Sequence, residues 1–130
     1  MSDKDKIIDV EKEKRKVKSL GIMKDIMTRY YIGAKTARQN NKKVAWITSG
    51  GPVEPLLVMD IIPVYPENYG AMIGASKMGV ELCGIAEGMG YSQDLCSYAR
   101  GDIGQIETKG GPIGGLPEPD MLICCNNICG

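Results

Sequence analysis

Apolar positions in the first part of the chain recur at helical spacing. Val17, Leu20, Met23, Met27, Tyr30 or Tyr31, and Ala34 fall three or four residues apart, with Lys, Glu, Arg and Asp between them. This is the pattern of a helix with one apolar face. It predicts helix from about residue 3 to residue 39, with Gly21 and Gly33 as weak points or breaks. The charged stretch from Asp3 to Lys18 reads as a solvated helix or arm.

The pattern then changes. Val44-Ala45-Trp46-Ile47-Thr48 is a continuous apolar run, entered through Asn-Asn-Lys-Lys and ended by Ser49-Gly50-Gly51-Pro52, and it predicts a buried strand. Val53 to Met59 reads as a short helix with Pro52 near its first turn. Ile61 to Tyr65 is a second strand, and Pro63 within it predicts an edge position or a bulge. Tyr65-Pro66-Glu67-Asn68-Tyr69 reads as a polar turn.

Met72, Ala75, Met78, Leu82, Ile85, Ala86 and Met89 again follow the helical period, so the spacing predicts one helix over Ala71 to Met89, stopped by Gly88 and Gly90. Ser92, a good N-cap, predicts a further helix to about Ile106 with Asp94 and Cys96 in its first turn. The Gly- and Pro-rich segment Lys109 to Asp120 is a loop, and Met121 to Cys125 is a third apolar strand.

Strands alternating with helices predict an α/β fold with a largely parallel sheet. The expected organisation is a charged amphipathic helix over residues 1–42 and an α/β domain over residues 43–130. A parallel sheet needs helices on both faces, and the last strand lacks a following helix. The chain therefore reads as the N-terminal portion of something longer, its remaining cover lying on further sequence or on a partner.

Composition narrows the function. Sixteen basic residues balance sixteen acidic ones, so no electrostatic footprint points to nucleic acid or an anionic membrane. No stretch has the length of a membrane span, and the charged start lacks the apolar core of a secretory signal, so a cytoplasmic location is expected. Histidine is absent, which excludes Ser-His-Asp and Cys-His catalysis and His-ligated zinc within this chain. Five cysteines, an odd number in a cytosolic setting, are expected as core residues, metal ligands or redox groups rather than disulfides.

The cysteines differ in setting. Cys83 lies inside a helical pattern and reads as a small buried hydrophobe. Cys96 lies where a helix opens, and the positive end of the helix with Arg100 one turn on would favour a thiolate, the form that ligates metal. Cys124 and Cys125 still belong to the apolar run, so at least one is expected to face the core. Cys129 follows the strand, at the end of the sheet where ligands of open α/β folds gather. No Cys-x-x-Cys pair is present, so any site from Cys96 and Cys129 has to be assembled by the fold. Ser49-Gly50-Gly51-Pro52 is neither a Walker A loop nor a G-x-G-x-x-G fingerprint, but its glycines let backbone N–H groups approach an anion or a carbonyl oxygen.

Taken together, these segments resemble a known family. Val53-Glu54-Pro55 followed by Met59-Asp60-Ile61-Ile62-Pro63-Val64-Tyr65-Pro66-Glu67-Asn68, then Leu95-Cys96-Ser97-Tyr98-Ala99-Arg100, then the stretch from Pro119 to Cys129, are similar in order and spacing to the motifs of the 2-hydroxyacyl-CoA dehydratase and benzoyl-CoA reductase subunits. The resemblance runs from about Lys43 to the end. It implies Rossmann-like α/β architecture and a [4Fe–4S] cluster held by three cysteines per subunit. Cys96 and Cys129 match the first two ligands, and the third lies downstream of this chain. Cys124 and Cys125 match the strand before the ligand, and Ser49 and Glu67 match positions near the acyl-CoA pocket.

The implied activity is low-potential electron transfer to an acyl-CoA thioester, for 2-hydroxyacyl-CoA dehydration or benzoyl-CoA-type ring reduction. The implied partners are a homologous second subunit and an ATP-hydrolysing iron–sulfur activator. The 130-residue chain alone is expected to be inactive. Two other readings use the same residues: a non-catalytic iron–sulfur carrier or maturation scaffold, and a plain α/β binding domain without metal.

Overall fold

The computed structural model describes residues 18–126; the predicted arm from Asp3 and the candidate ligand Cys129 lie outside them. The first element, α1 (Lys18–Lys35), runs unbroken through Gly21 and Gly33, so neither glycine ends it. It stops short of the predicted residue 39, and a single 3₁₀ turn, Arg38–Asn40, follows. The chain divides within this helix into two compact units, Met1–Ile32 and Gly33–Gly130. In the first, the predicted apolar face is mostly open: Leu20, Met23 and Met27 are exposed, whereas Tyr31 is buried, its ring edge-on to that of Tyr30 at 5.0 Å between centroids. In the second, Ala34 and Ala37 are buried.

The second unit is built on three parallel strands, β1 (Lys43–Ile47), β2 (Ile61–Val64) and β3 (Met121–Ile123), in the order β2-β1-β3. The apolar run of β1 is the centre of the sheet. Val44, Ala45 and Ile47 are buried because a central parallel strand is covered on both faces. Pro63 does sit on an edge strand, opposite Ala45, where a missing N–H costs no ladder bond on the open side. Ala45, Ile47, Leu56 and Ile61 form a core that Val53, Tyr65 and Ile123 extend. Leu56 comes from α2 (Glu54–Val58), the expected short helix between β1 and β2.

At the opposite end of the strands, the carboxylate of Asp120 accepts the Val44 N–H at 2.9 Å and pairs with Lys43 at 3.1 Å. These two contacts, the backbone N–H first, hold Asp120 below the usual carboxylate range and pin the start of β3 against β1. The strand β3 is shorter than predicted. It ends at Ile123, and neither Cys124 nor Cys125 is buried, because the chain leaves the ladder before either reaches a covered face.

The stretch predicted as one helix over Ala71 to Met89 is two, α3 (Pro66–Ala75) and α4 (Gly79–Gly88). The break is a helix stop without glycine. Lys77 takes the left-handed conformation (φ 61°), and the Met78 N–H bonds back to the Ile73 carbonyl at 3.2 Å. This six-to-one bond closes the helix as in a Schellman motif. The stop after α4 has the same bond, from the Tyr91 N–H to Ala86 O at 3.2 Å, but there Gly90 (φ 98°) supplies the turn, as the sequence indicates.

Helix α5 (Ser97–Thr108) begins later than Ser92 and ends later than Ile106; the Ser92 hydroxyl instead accepts the Asp94 N–H in a local turn. It packs against α3 and α4. Gly104 makes the approach to α4 feasible: a Cβ there would stand 2.0 Å from the Leu82 carbonyl oxygen. A partly buried ion pair between Arg100 of α5 and Glu87 of α4 ties the same interface. No helix among the described residues is long and apolar enough to cross a membrane.

Candidate functional site

The carboxyl ends of β1 and β2 lie side by side because the strands are parallel. Their register pairs Lys43 with Ile61 and Trp46 with Val64, an offset of 18 residues. Carried three residues past Trp46, the same offset sets Ser49 opposite Glu67. The contact is made: the Ser49 N–H donates to Glu67 Oε1 at 2.8 Å. The predicted polar turn at Tyr65-Pro66-Glu67 is thus the opening of α3. Pro66 occupies the first helical position, where it needs no N–H. Glu67 follows in the first turn, where the helix dipole favours a carboxylate.

Ser49 and Glu67 face a pocket of about 550 Å³ whose wall also includes Trp46, Thr48, Cys96 and Asp102. This volume suits a small-molecule site. Its floor is largely apolar, with Ile103 and Ile106 of α5 against it, and Lys, Arg and His are absent from its lining. The rim is braced from β3: Thr48 N–H donates to Ile123 O at 3.1 Å, and the Cys125 N–H donates to the Thr48 hydroxyl at 2.8 Å. The chain leaving β3 through Cys124 and Cys125 is therefore tied to the residue before Ser49.

Cys96 is the N-cap of α5, one residue before the helix's first turn; it is exposed, and its thiol makes no capping bond. The support expected from Arg100 is absent. Its guanidinium is committed to Glu87 and to the Leu95 carbonyl, the latter at 2.9 Å. Cys83 is half-buried rather than buried, and its thiol donates to the Ser97 carbonyl at 3.4 Å.

A resident metal cluster fits Cys96 as one ligand: an uncommitted thiol at the positive end of a helix, on the wall of a pocket. No group of three or more Cys, Asp, Glu or His residues suited to a metal stands together among the described residues, so any further ligands would have to come from outside them.

Asp102 was not among the residues singled out from sequence. It is 7% exposed, and its Oδ1 is buried without a hydrogen-bond partner. Burial, and after it the Glu67 charge, pushes its carboxyl up to about 7. One signal could have found it. Ala99, Asp102, Ile103 and Ile106 follow three- and four-residue steps, so an acid interrupts the apolar face of α5.

Residues 48–130 match the family of the 2-hydroxyglutaryl-CoA dehydratase D-component. The chain is 44% identical to the (R)-2-hydroxyisocaproyl-CoA dehydratase alpha subunit of Clostridioides difficile over 108 residues, which is 83% of this chain and 26% of that protein. It is 35% identical to the (R)-phenyllactyl-CoA dehydratase alpha subunit of Clostridium sporogenes over 93% of this chain and 30% of that protein. It is 29% identical to a benzoyl-CoA reductase subunit of Thauera aromatica over 72% of this chain and 22% of that protein. The matched segment spans less than a third of each of these relatives.

Proposed function

The chain belongs to the 2-hydroxyglutaryl-CoA dehydratase D-component family, and from that premise we propose that it forms part of the active site of an oxygen-sensitive [4Fe–4S] enzyme acting on acyl-CoA thioesters, by preference 2-hydroxyacyl-CoA. The observation that carries this reading is the convergence of Ser49, Glu67 and Cys96 on one pocket. The preference for dehydration over ring reduction rests on the relatives: dehydratase alpha subunits reach 44% and 35% identity, the reductase subunit 29%. The sheet is the start of a Rossmann-like domain, and the working enzyme pairs it with a homologous second subunit and an ATP-dependent iron–sulfur activator.

In this reading Cys96 and Cys129 are two of the cluster's ligands. The cluster, when bound, supplies a low-potential electron for the thioester. The chain's own residues bind and orient. Glu67 accepts the Ser49 N–H through Oε1, which fixes the carboxylate on the pocket wall. The Ser49 side chain stays available to the ligand, since its contact with Glu67 uses the backbone alone. The apolar wall of Trp46, Ile103 and Ile106 offers the ligand a surface of low polarity.

Glu67→Ala in the assembled full-length enzyme is expected to weaken 2-hydroxyacyl-CoA binding at least about 10-fold, the worth of one charge-assisted hydrogen bond. Calorimetric titration of the anaerobic protein checks this, and unchanged affinity would remove Glu67 from the site.

A further inference from the structure

Two acids line the pocket, and each has one oxygen that is shut off from solvent and has no hydrogen-bond partner: Glu67 Oε2 and Asp102 Oδ1. Gln105, on the same helix and also buried, differs, because its amide oxygen accepts the Leu116 N–H at 3.1 Å. The fold thus satisfies one buried polar side chain of α5 and leaves the other, on the pocket wall, unsatisfied. A buried polar oxygen without a partner is costly, and a pocket walled by two such acids suits a ligand group that can bond both.

The two acids differ in what supports a charge. Glu67 sits in the first turn of α3 and accepts a backbone N–H, both of which favour the anion. Asp102 is the sixth residue of α5, past the first turn where the helix dipole acts. Of the other titratable groups near it, Cys96 and Tyr98 line the pocket without positive charge. Arg100 is held by Glu87, and the Cys83 thiol of α4 is held by Ser97. A single negative charge therefore belongs on Glu67, and the proton belongs on Asp102.

We propose that neutral Asp102 and anionic Glu67 together bind one alcohol oxygen of the ligand, Asp102 donating a hydrogen bond to it and Glu67 accepting its proton-bearing side. Only a hydroxyl can accept from one and donate to the other; a methylene or an aromatic C–H can do neither. The pair would select thioesters bearing a hydroxyl over their deoxy counterparts. The upward shift of Asp102 to about 7 agrees with this charge state. The proposal rests on the acyl-CoA reading above and adds the residue that reads the hydroxyl.

The test is competitive binding of a 2-hydroxyacyl-CoA and its saturated deoxy analogue to the assembled full-length enzyme. The wild type is expected to prefer the hydroxylated thioester by at least about 10-fold. Asp102→Leu should abolish that preference while binding the deoxy analogue as before, and Asp102→Asn, a neutral donor, should retain most of it. The wild-type preference should also fall as pH rises through about 7, where Asp102 would ionise, and Asp102→Asn should show no such fall. A wild-type preference that persists unchanged across that pH range, or in Asp102→Leu, overturns the Asp102 assignment. Equal wild-type binding of both thioesters overturns it too and leaves the acyl-CoA reading standing; binding of neither overturns the acyl-CoA reading itself.

Discussion

Gly104→Ala is expected to destabilise the chain by about 2–3 kcal/mol, close to the upper end for overpacked sites. A methyl group at this position would stand 2.0 Å from the Leu82 carbonyl oxygen, 2.8 Å from its carbon and 3.0 Å from its Cα. All three are backbone atoms, so no side-chain rotation relieves the clash, and α5 must move away from α4. Alanine's better helix propensity returns only about 1 kcal/mol, less than the clash removes. Gly84→Ala on α4 is the control: a Cβ there meets nothing within 4 Å, so that substitution should be neutral or slightly stabilising. Urea denaturation of both variants checks the pair, and equal midpoints would show that the two helices are not packed as described. The consequence reaches the pocket, because α5 carries Asp102 and begins at Cys96.

Cys96→Ser is expected to lower cluster loading of the assembled enzyme by more than about 10-fold, since even altering a group that hydrogen-bonds a metal's ligand costs about 10- to 100-fold. Cys83→Ser should leave loading unchanged. The two thiols are separated by their partners. Cys83 donates to the Ser97 carbonyl on the face between α4 and α5, whereas Cys96 opens onto the pocket without a capping bond. Iron content and EPR after anaerobic reconstitution check this, and equal losses for the two variants would contradict the ligand assignment.

Much of the sheet was legible from sequence because its signals are local. The apolar run at Val44–Ile47 is a central strand, and Pro63 marks an edge. The stop after α4 was legible because Gly90 supplies the left-handed turn. The equivalent stop at Lys77 was not, because a lysine takes that turn without any compositional cue. Backbone bonding to Ile73, rather than residue type, ends the helix there.

Three residues that line the candidate pocket, Ser49, Glu67 and Cys96, were named from sequence, but their contacts were not. Ser49 and Glu67 were named from resemblance, yet their hydrogen bond depends on the β1–β2 register, which no single segment reveals. Arg100 is spaced along the helix to support Cys96, but Glu87, 13 residues earlier, holds it. Asp102 carries no motif of its own in the sequence. Its meaning depends on α3 arriving from the other side with Glu67.

The central claim is that iron is bound at the wall of the pocket shared by Ser49, Glu67 and Asp102. Anomalous diffraction at the iron edge, from crystals of the anaerobically reconstituted full-length protein, tests it most directly. The account predicts iron bonded to Cys96 Sγ at that pocket; iron elsewhere, with the Cys96 thiol bare, would contradict it.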